Sequence, residues 1–341
     1  MFFCIVILPL ALASVAGHAT GPGPHSVSAI PGEPDEIVAL ILDRLKHKDP
    51  AKRAEAARDL SSVGGERAIN ALICTLRSDD DIGVRTAAIR SLGGLKEASK
   101  KAIPLLVEVL RDESTLSPFR SFQSKDLNAE AAQALSEIGP ESAVPLMQVA
   151  RDKKCKSVIR LQAVDAIWFL EEPKPEAIEP GLIALTTDQD EDLRMRVIEI
   201  LPAALPKSHA VKRALLASLA DESHYIQVLG AAALFQHDPE NVISVPVLIH
   251  LLKDQDDHVR WRALTELGSL GAKAKSAVKD ILPHLRSNDE WLRMAAVRAL
   301  GRIGPDAQEA VPQLRVMLKD TSGNVRSFAQ ESLDKITKKP K

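Results

Sequence analysis

Apolar residues recur along this chain with the spacing of amphipathic helices, and the helices recur in pairs. Residues 288–320 contain two such helical patterns, and Gly304 with Pro305 marks the turn between them. Neither helix can bury its apolar face alone, so the pair needs neighbouring helices of the same kind. The apolar positions are Leu292, Ala296, Leu300 and Ile303 in the first pattern, then Val311, Leu314 and Leu318 in the second.

The same pair of patterns recurs through the chain at a nearly constant interval. With Arg293 as a marker, equivalent positions follow one another at steps of 32 to 34 residues, apart from one step of 43. A period of this length indicates stacked helical hairpins. We therefore predict an all-α fold over residues 35–337, a right-handed α-solenoid of about nine hairpins. The marker positions are Arg53, Arg85, Asn128, Arg160, Arg194, Gln227, Arg260, Arg293 and Arg326.

Two apolar stripes on the first helix of each hairpin predict its contacts. The residues just before the marker and seven after it should face the partner helix. The residues two before the marker and one, four and eight after it, called the inter-repeat positions below, should face neighbouring repeats. Trp168, Trp261 and Trp291 occupy such positions, so we expect them to pack in the core. In the last repeat these positions are polar, as the open end of a solenoid requires; they are Asn324, Ser327, Gln330 and Asp334.

An aspartate stands six residues before several markers, where a second helix ends and the next first helix begins. Such a carboxylate can accept hydrogen bonds from free N–H groups of the next helix while a neighbouring arginine reaches it. The spacing D-x5-R occurs at 79–85, where A-x2-S-L-G follows it, and at 254–260, where A-x2-E-L-G follows it. A-V-P opens second helices at 143–145 and 310–312.

In these residues the chain resembles the HEAT-repeat family, in the short form related to phycobilin lyases, over residues 35–337. In that family the aspartates and arginines form a ladder along the solenoid. The same repeat serves scaffolds, adaptors and a few enzymes, so the resemblance implies a fold and leaves the function open. The ladder residues that it implies are Asp79, Arg85, Asp188, Arg194, Asp254, Arg260, Arg293, Asp320 and Arg326.

The N-terminal residues precede the repeats and have a different composition. Residues 2–16 are uncharged and apolar and lead into small residues, which predicts a signal peptide over 1–19. An uncleaved membrane anchor is the alternative. Residues 20–34 are rich in proline and glycine and read as a flexible linker, and 338–341 form a basic tail. We expect an exported protein, periplasmic, on the cell surface or secreted, whose mature chain does not span a membrane.

The charges and motifs narrow the function classes. Lys and Arg number 44 against 46 Asp and Glu, a balance that disfavours nucleic-acid binding. No catalytic, metal or cofactor motif emerges; Asp188, Asp190, Asp192 and Glu199 follow a calcium-loop spacing, but helix capping explains them better. Two cysteines follow the signal peptide, with Cys74 in an apolar pattern that predicts packing, and no disulfide is expected.

The step of 43 residues contains an insertion of about ten residues within 112–126. It carries Phe119, Arg120 and Phe122, an unusual group for a solvated turn and therefore a candidate partner-binding site. The alternative is that both phenylalanines fold back onto the solenoid. We predict an exported, non-enzymatic scaffold that binds another protein; the alternative is a bilin-lyase-like enzyme whose solenoid shapes a small-molecule pocket.

Overall fold

A computed structural model describes residues 34–116, 126–170 and 176–338, and within them the chain is helical without a strand. The helices alternate between two layers, which we call A and B after the first and second helix of each hairpin. Helix α1 (Pro34–Arg44) precedes the first hairpin. The A helices are α2 (Pro50–Val63), α4 (Ile82–Gly94), α6 (Leu127–Ile138), α8 (Ser157–Trp168), α10 (Glu191–Ala204), α12 (His224–His237), α14 (Asp257–Leu270), α16 (Glu290–Ile303) and α18 (Gly323–Thr337). The B helices are α3 (Gly65–Ser78), α5 (Ile103–Arg111), α7 (Ala143–Arg151), α9 (Glu179–Leu185), α11 (His209–Ser218), α13 (Ser244–Leu251), α15 (Val278–Ile281) and α17 (Val311–Met317).

Most A helices begin at a side chain that caps them. The capping residue stands four positions before the marker, and its oxygen accepts a backbone N–H of the first turn. Asp289, for example, accepts from Trp291 and Leu292, at 2.6 and 3.1 Å. These bonds satisfy donors that have no partner inside the helix. The other capping side chains are Asp49, Asp81, Asp190, Ser223, Asp256 and Ser322.

Four of the described A helices, α2, α6, α14 and α16, end at glycines with positive φ. Gly271 and Gly304 have φ of 58° and 75°, a region that other residues adopt only with strain. A 3-10 stretch follows each of them and leads into the B helix. The middle A helices α8, α10 and α12 end instead at Phe169, Leu205 and Asp238, so their turns take other shapes.

The core lies between the two layers and runs the length of the stack. Apart from the exposed Lys52, the predicted positions one before and seven after the marker are buried, as Leu292 and Leu300 show on α16. The buried side chains form two clusters that meet at α12, which contributes to both. The chain is therefore an α-solenoid, and the prediction of the fold class is confirmed. Helices with the length and apolarity needed to cross a bilayer are absent from the three described ranges.

Helices α1 and α18 close the two ends of the described stack. Val38 and Ile41 of α1 are buried where that helix packs against the first hairpin. On α18 the inter-repeat positions are exposed, as a terminal repeat requires. Those positions are Asn324, Ser327, Gln330 and Asp334.

Successive A helices approach each other closely where small residues meet. Gly301 of α16 lies against Ser332 of α18, so that a Cβ atom added to the glycine would lie 2.9 Å from the Cα of Ser332. The equivalent Gly268 of α14 lies in the same way against Ala299 of α16. Such contacts leave no space between the helices involved.

Candidate interaction surface

The predicted ladder residues lie at the turns that lead from each B helix into the next A helix. Arg160 illustrates the contact: its Nη1 and Nη2 donate to the two carboxylate oxygens of Asp188, at 3.1 and 2.6 Å. Its Nε donates to the carbonyl of Ala150 at 2.8 Å, and both ladder side chains are buried. Equivalent two-bond contacts, at 2.7 to 3.1 Å, join Arg53 to Asp79, Arg194 to Asp221 and Arg293 to Asp320.

Each of these arginines therefore reaches forward to the aspartate of the following repeat. Within one D-x5-R unit the contact goes through the backbone instead: Arg194 Nη1 donates to the carbonyl oxygen of Asp188 at 2.8 Å. Arg326 makes the same bond to Asp320 at 2.7 Å. One arginine thus joins two consecutive turns, by a carbonyl of its own turn and the carboxylate of the next.

The ladder changes where the sequence departs from the repeat. Arg260 donates to the carbonyl of Asp254 at 2.5 Å, and its carboxylate partner is Asp257 of its own helix. The carboxylate of Asp254 binds His224 instead, because the preceding marker position holds Gln227, whose amide donates to a backbone carbonyl. Arg85 binds only a carbonyl, that of Leu76 at 3.1 Å, within the described residues.

The ladder shifts the pKa of its carboxyl groups. Hydrogen bonds from Arg160 hold the pKa of Asp188 below its usual range, in spite of burial, and a backbone N–H adds to the effect. The pKa values of Asp79 and Asp320 are lowered by Arg53 and Arg293 for the same reason. These carboxylates are ionised at neutral pH and bind guanidinium groups, so their role here is to join repeats.

The candidate residues of the insertion, Phe119, Arg120 and Phe122, lie outside the described residues. The structure describes a groove elsewhere, on the outer surface of the A layer between α6 and α8, which we call the α6–α8 groove. Its volume is about 580 Å³, within the range of ligand-binding clefts. It is lined by Ala129, Ala132, Gln133, Ser136 and Glu137 of α6, Gln162, Asp165, Ala166 and Phe169 at α8, and Lys96 of the preceding repeat.

The groove has an apolar floor with acceptors around it. Ala132 and Ala166 are buried in the floor, while the ring of Phe169 stands 68% exposed at one end. Glu137 accepts from Gln133 at 2.8 Å, and Asp165 accepts from Arg196 of α10 at 2.5 Å.

Some hydrogen-bond acceptors in the groove have no donor among the described residues. The Oε1 atom of Gln162 is buried and accepts no hydrogen bond. Glu137 and Asp165 each use one carboxylate oxygen in the contacts above. An amide oxygen buried without a donor is unfavourable, which makes this wall of the groove receptive to a hydrogen-bond donor.

The small residues of α6 are a sequence signal for this groove that the repeat pattern alone does not reveal. The inter-repeat positions of α6 hold Ala129, Ala132 and Ser136, where α14 holds Trp261 and Leu264. Small side chains at these positions leave space between successive A helices unless a glycine lets the two helices approach, as Gly301 does for α16 and α18. Here the helices stay apart.

Two side chains lie differently from expectation. Trp168 and Trp261 are half-buried against the core, but Trp291 is 64% exposed because it lies on the first turn of α16, at the rim of the stack. Cys74 is exposed on α3 beside Ser78, so the prediction that it packs was wrong. Cys74 and Cys155 are both free thiols.

Two of the aspartates with the calcium-loop spacing make capping and ladder contacts. Asp190 caps α10 by accepting from Leu193 at 3.1 Å, and Asp188 binds Arg160. Within the described ranges, no group of three or more His, Cys, Asp or Glu side chains could hold a metal ion.

Comparison with known proteins adds to this picture. A family profile described as HEAT repeats matches residues 38–117 and 245–334. No curated protein matches the chain. Among solved structures, the chain is similar to the karyopherin Kap121p bound to the extreme C-terminus of the protein phosphatase Cdc14p, with a TM-score of 0.64 and 14% identity over 90% of this chain and 38% of that one. Importin beta gives a TM-score of 0.53 and 15% identity over 89% of this chain and 48% of that one.

The chain thus spans less than half of each of these two karyopherins, and the likeness shows the fold alone. The two-layered stack, the turn ladder and the surface groove define an α-solenoid of helical hairpins. The matched repeats at both ends of the stack place it in a family: this chain is a HEAT-repeat protein.

Proposed function

We propose that this protein is an exported, non-enzymatic scaffold that binds another protein on the outer surface of its solenoid. The observation that supports this most directly is the α6–α8 groove, an opening of about 580 Å³ between two successive A helices. A scaffold of stacked repeats offers a long surface of this kind without a catalytic centre. The balanced charge of 44 basic and 46 acidic residues favours a protein partner over a nucleic acid.

The structural neighbours support the proposal at the level of the fold. One Kap121p structure holds a segment of Cdc14p and another, with a TM-score of 0.56 and 18% identity, is bound to Pho4p. A stack of this architecture therefore can bind polypeptide segments in those proteins. Binding by Phe119, Arg120 and Phe122 stays part of the proposal as a second contact beside the groove.

Affinity capture tests the scaffold role. The tagged full chain is produced in the native host and recovered from the envelope and the medium, and the bound proteins are identified. We expect a partner that Phe169→Ala reduces and Trp291→Ala retains, because both variants remove an exposed aromatic ring but only Phe169 lies at the groove. Recovery of the protein with no partner from every fraction would contradict the scaffold role.

Export is tested by sequencing the N-terminus of the recovered protein. Cleavage of a signal peptide should give a mature chain that begins at Gly17 or Thr20. A membrane-bound form that retains Met1 would show that the segment is an anchor.

A small-molecule role is the second candidate, because acidic and aromatic groups do meet at the groove. Glu137, Asp165 and Phe169 there resemble what a chromophore pocket of a bilin-lyase-like enzyme would need. Titration of the full chain with a linear tetrapyrrole, followed by visible absorption, tests this candidate. A saturable spectral change that Phe169→Ala removes would favour it over the scaffold.

A further inference from the structure

The α6–α8 groove has a chemical preference that follows from its hydrogen-bonding groups. Its unused groups include three acceptors: the Oε1 atom of Gln162 and one carboxylate oxygen each on Glu137 and Asp165. The hydroxyl of Ser136 already donates to the carbonyl of Gln133 at 2.7 Å. An occupant that satisfies these three acceptors must bring donors.

The apolar part of the groove sets the shape of the occupant. Ala129, Ala132 and Ala166 offer a narrow floor of methyl groups, which fits the methylene stem of a long side chain. The exposed ring of Phe169 stands at one end of the floor, where a flat cation can stack on it. A stem with a flat, cationic, donor-rich head describes arginine.

Other occupants match less of the groove. An acidic side chain would meet Glu137 as a like charge and would find no donor on Asp165, which is paired with Arg196, although Lys96 lies at one end. A purely apolar side chain would bury the acceptors without giving them donors, which is unfavourable. A lysine brings charge but neither the planar head nor the several donors.

We propose that the α6–α8 groove receives an arginine side chain that a partner protein presents on an extended segment. The proposal rests on the scaffold function above and names the chemistry of its partner. The volume of about 580 Å³ exceeds the needs of a single side chain, so residues flanking the arginine also enter. The guanidinium donates to Gln162 and to the free oxygen of Asp165, and its plane lies on Phe169. Its charge is attracted by Glu137, whose second carboxylate oxygen lies over Gly93 of α4.

The direct test uses small probes and needs no knowledge of the partner. Acetyl-argininamide is titrated into the full chain and followed by NMR signals of the Gln162 side-chain amide and the Phe169 ring. Acetyl-citrullinamide, which has the same shape without the charge, is the matched control. We expect saturable shifts at both residues with the arginine probe and binding at least about threefold weaker with the citrulline probe.

Variants locate the binding. Glu137→Gln and Phe169→Ala change exposed side chains and should each weaken the arginine probe by about threefold to tenfold. Trp291→Ala and Glu331→Gln, an exposed ring and an exposed carboxylate far from the groove, should leave its affinity unchanged. Equal affinity for the two probes, or no shift at Gln162 and Phe169, would overturn the proposal.

Partner capture separates this proposal from the scaffold function. If the partner is captured equally by wild type, Glu137→Gln and Phe169→Ala, the scaffold stands and the arginine site is wrong. If the captured partner loses binding when one of its arginines is changed to glutamine, but keeps it when an arginine elsewhere is changed, the site is supported.

Discussion

The ladder contact between Arg160 and Asp188 gives the sharpest stability prediction. Both side chains are buried, with 6% and 7% of their surface exposed, and three hydrogen bonds end on the guanidinium. In Arg160→Ala, Asp188 keeps a backbone N–H donor but loses its charged partner, and the carbonyl of Ala150 loses its donor. Breaking a buried ion pair by removing one partner lowers the free energy of unfolding by about 3–5 kcal/mol.

The last ladder arginine provides a matched control. Arg326 occupies the equivalent position on α18 and is exposed. Among the described residues it donates only to the carbonyls of Asp320 and Thr321, at 2.7 and 3.0 Å. Because water can replace its bonds, Arg326→Ala should lower the free energy of unfolding by less than about 1 kcal/mol. Urea denaturation followed by circular dichroism measures both variants.

A second variant separates the effect of losing the ion pair from the effect of losing side-chain volume. Asp188→Asn, measured alone and together with Arg160→Ala, completes a double-mutant cycle, and we expect a coupling energy of about 1–3 kcal/mol. The reasoning is refuted if Arg160→Ala and Arg326→Ala have the same midpoint. A coupling energy near zero would likewise show that the ladder does not join the repeats.

Three further predictions follow from the pKa shifts and the glycine contacts. The pKa of Asp188 is lower in the folded state than in the unfolded chain, so its ionised form stabilises the fold above the unfolded pKa of about 3.9. That stabilisation is lost as pH falls through the folded pKa, and urea midpoints should drop in acid. Burial raises the pKa of Glu266 although Arg262 lies 2.9 Å away, so its contribution to stability is present below about pH 4.3 and lost as pH rises through the folded pKa. In melts, Glu266→Gln should therefore lose less stability than wild type over this rise in pH. Gly301→Ala should lower the midpoint, because the new Cβ would lie 2.7 Å from that of Ser332, while Gly94→Ala, with open space around it, should keep or raise it. A lower midpoint for Gly94→Ala than for Gly301→Ala would contradict the packing argument.

The fold could be predicted because every repeat carries the same local signals. Period, apolar stripes and capping aspartates act within one hairpin or between adjacent ones, so the sequence shows them directly. Which aspartate each ladder arginine binds could not be predicted from the sequence. Asp254 and Arg260 belong to one D-x5-R unit, yet the carboxylate of Asp254 binds His224 of the preceding repeat. Sequence spacing does not tell whether a side chain reaches its own turn or a neighbouring one.

The groove could not be foreseen from patterns of large apolar residues, since it arises from small ones. Ala129, Ala132 and Ser136 fit the helical period as well as leucine does, and their effect depends on the distance between α6 and α8. Trp291 is the opposite case: the sequence predicts a buried side chain, and the structure shows an exposed one. Its position in the repeat is an inter-repeat one, but the rim of the stack leaves it uncovered.

The ladder also determines where the solenoid can bend. A stack of hairpins changes its curvature when the spacing between successive turns opens or closes on one edge. On the ladder edge that spacing is fixed by guanidinium groups with two bonds to a carboxylate, which resist stretching and twisting together. Between α12 and α14 a half-exposed imidazole, that of His224, takes the place of this contact, and the core changes from one cluster to the other. Among the described residues, Arg85 and Arg260 also lack the forward contact, so elastic deformation of the stack should concentrate at the turns without it, and this joint is the one where the two core clusters also meet.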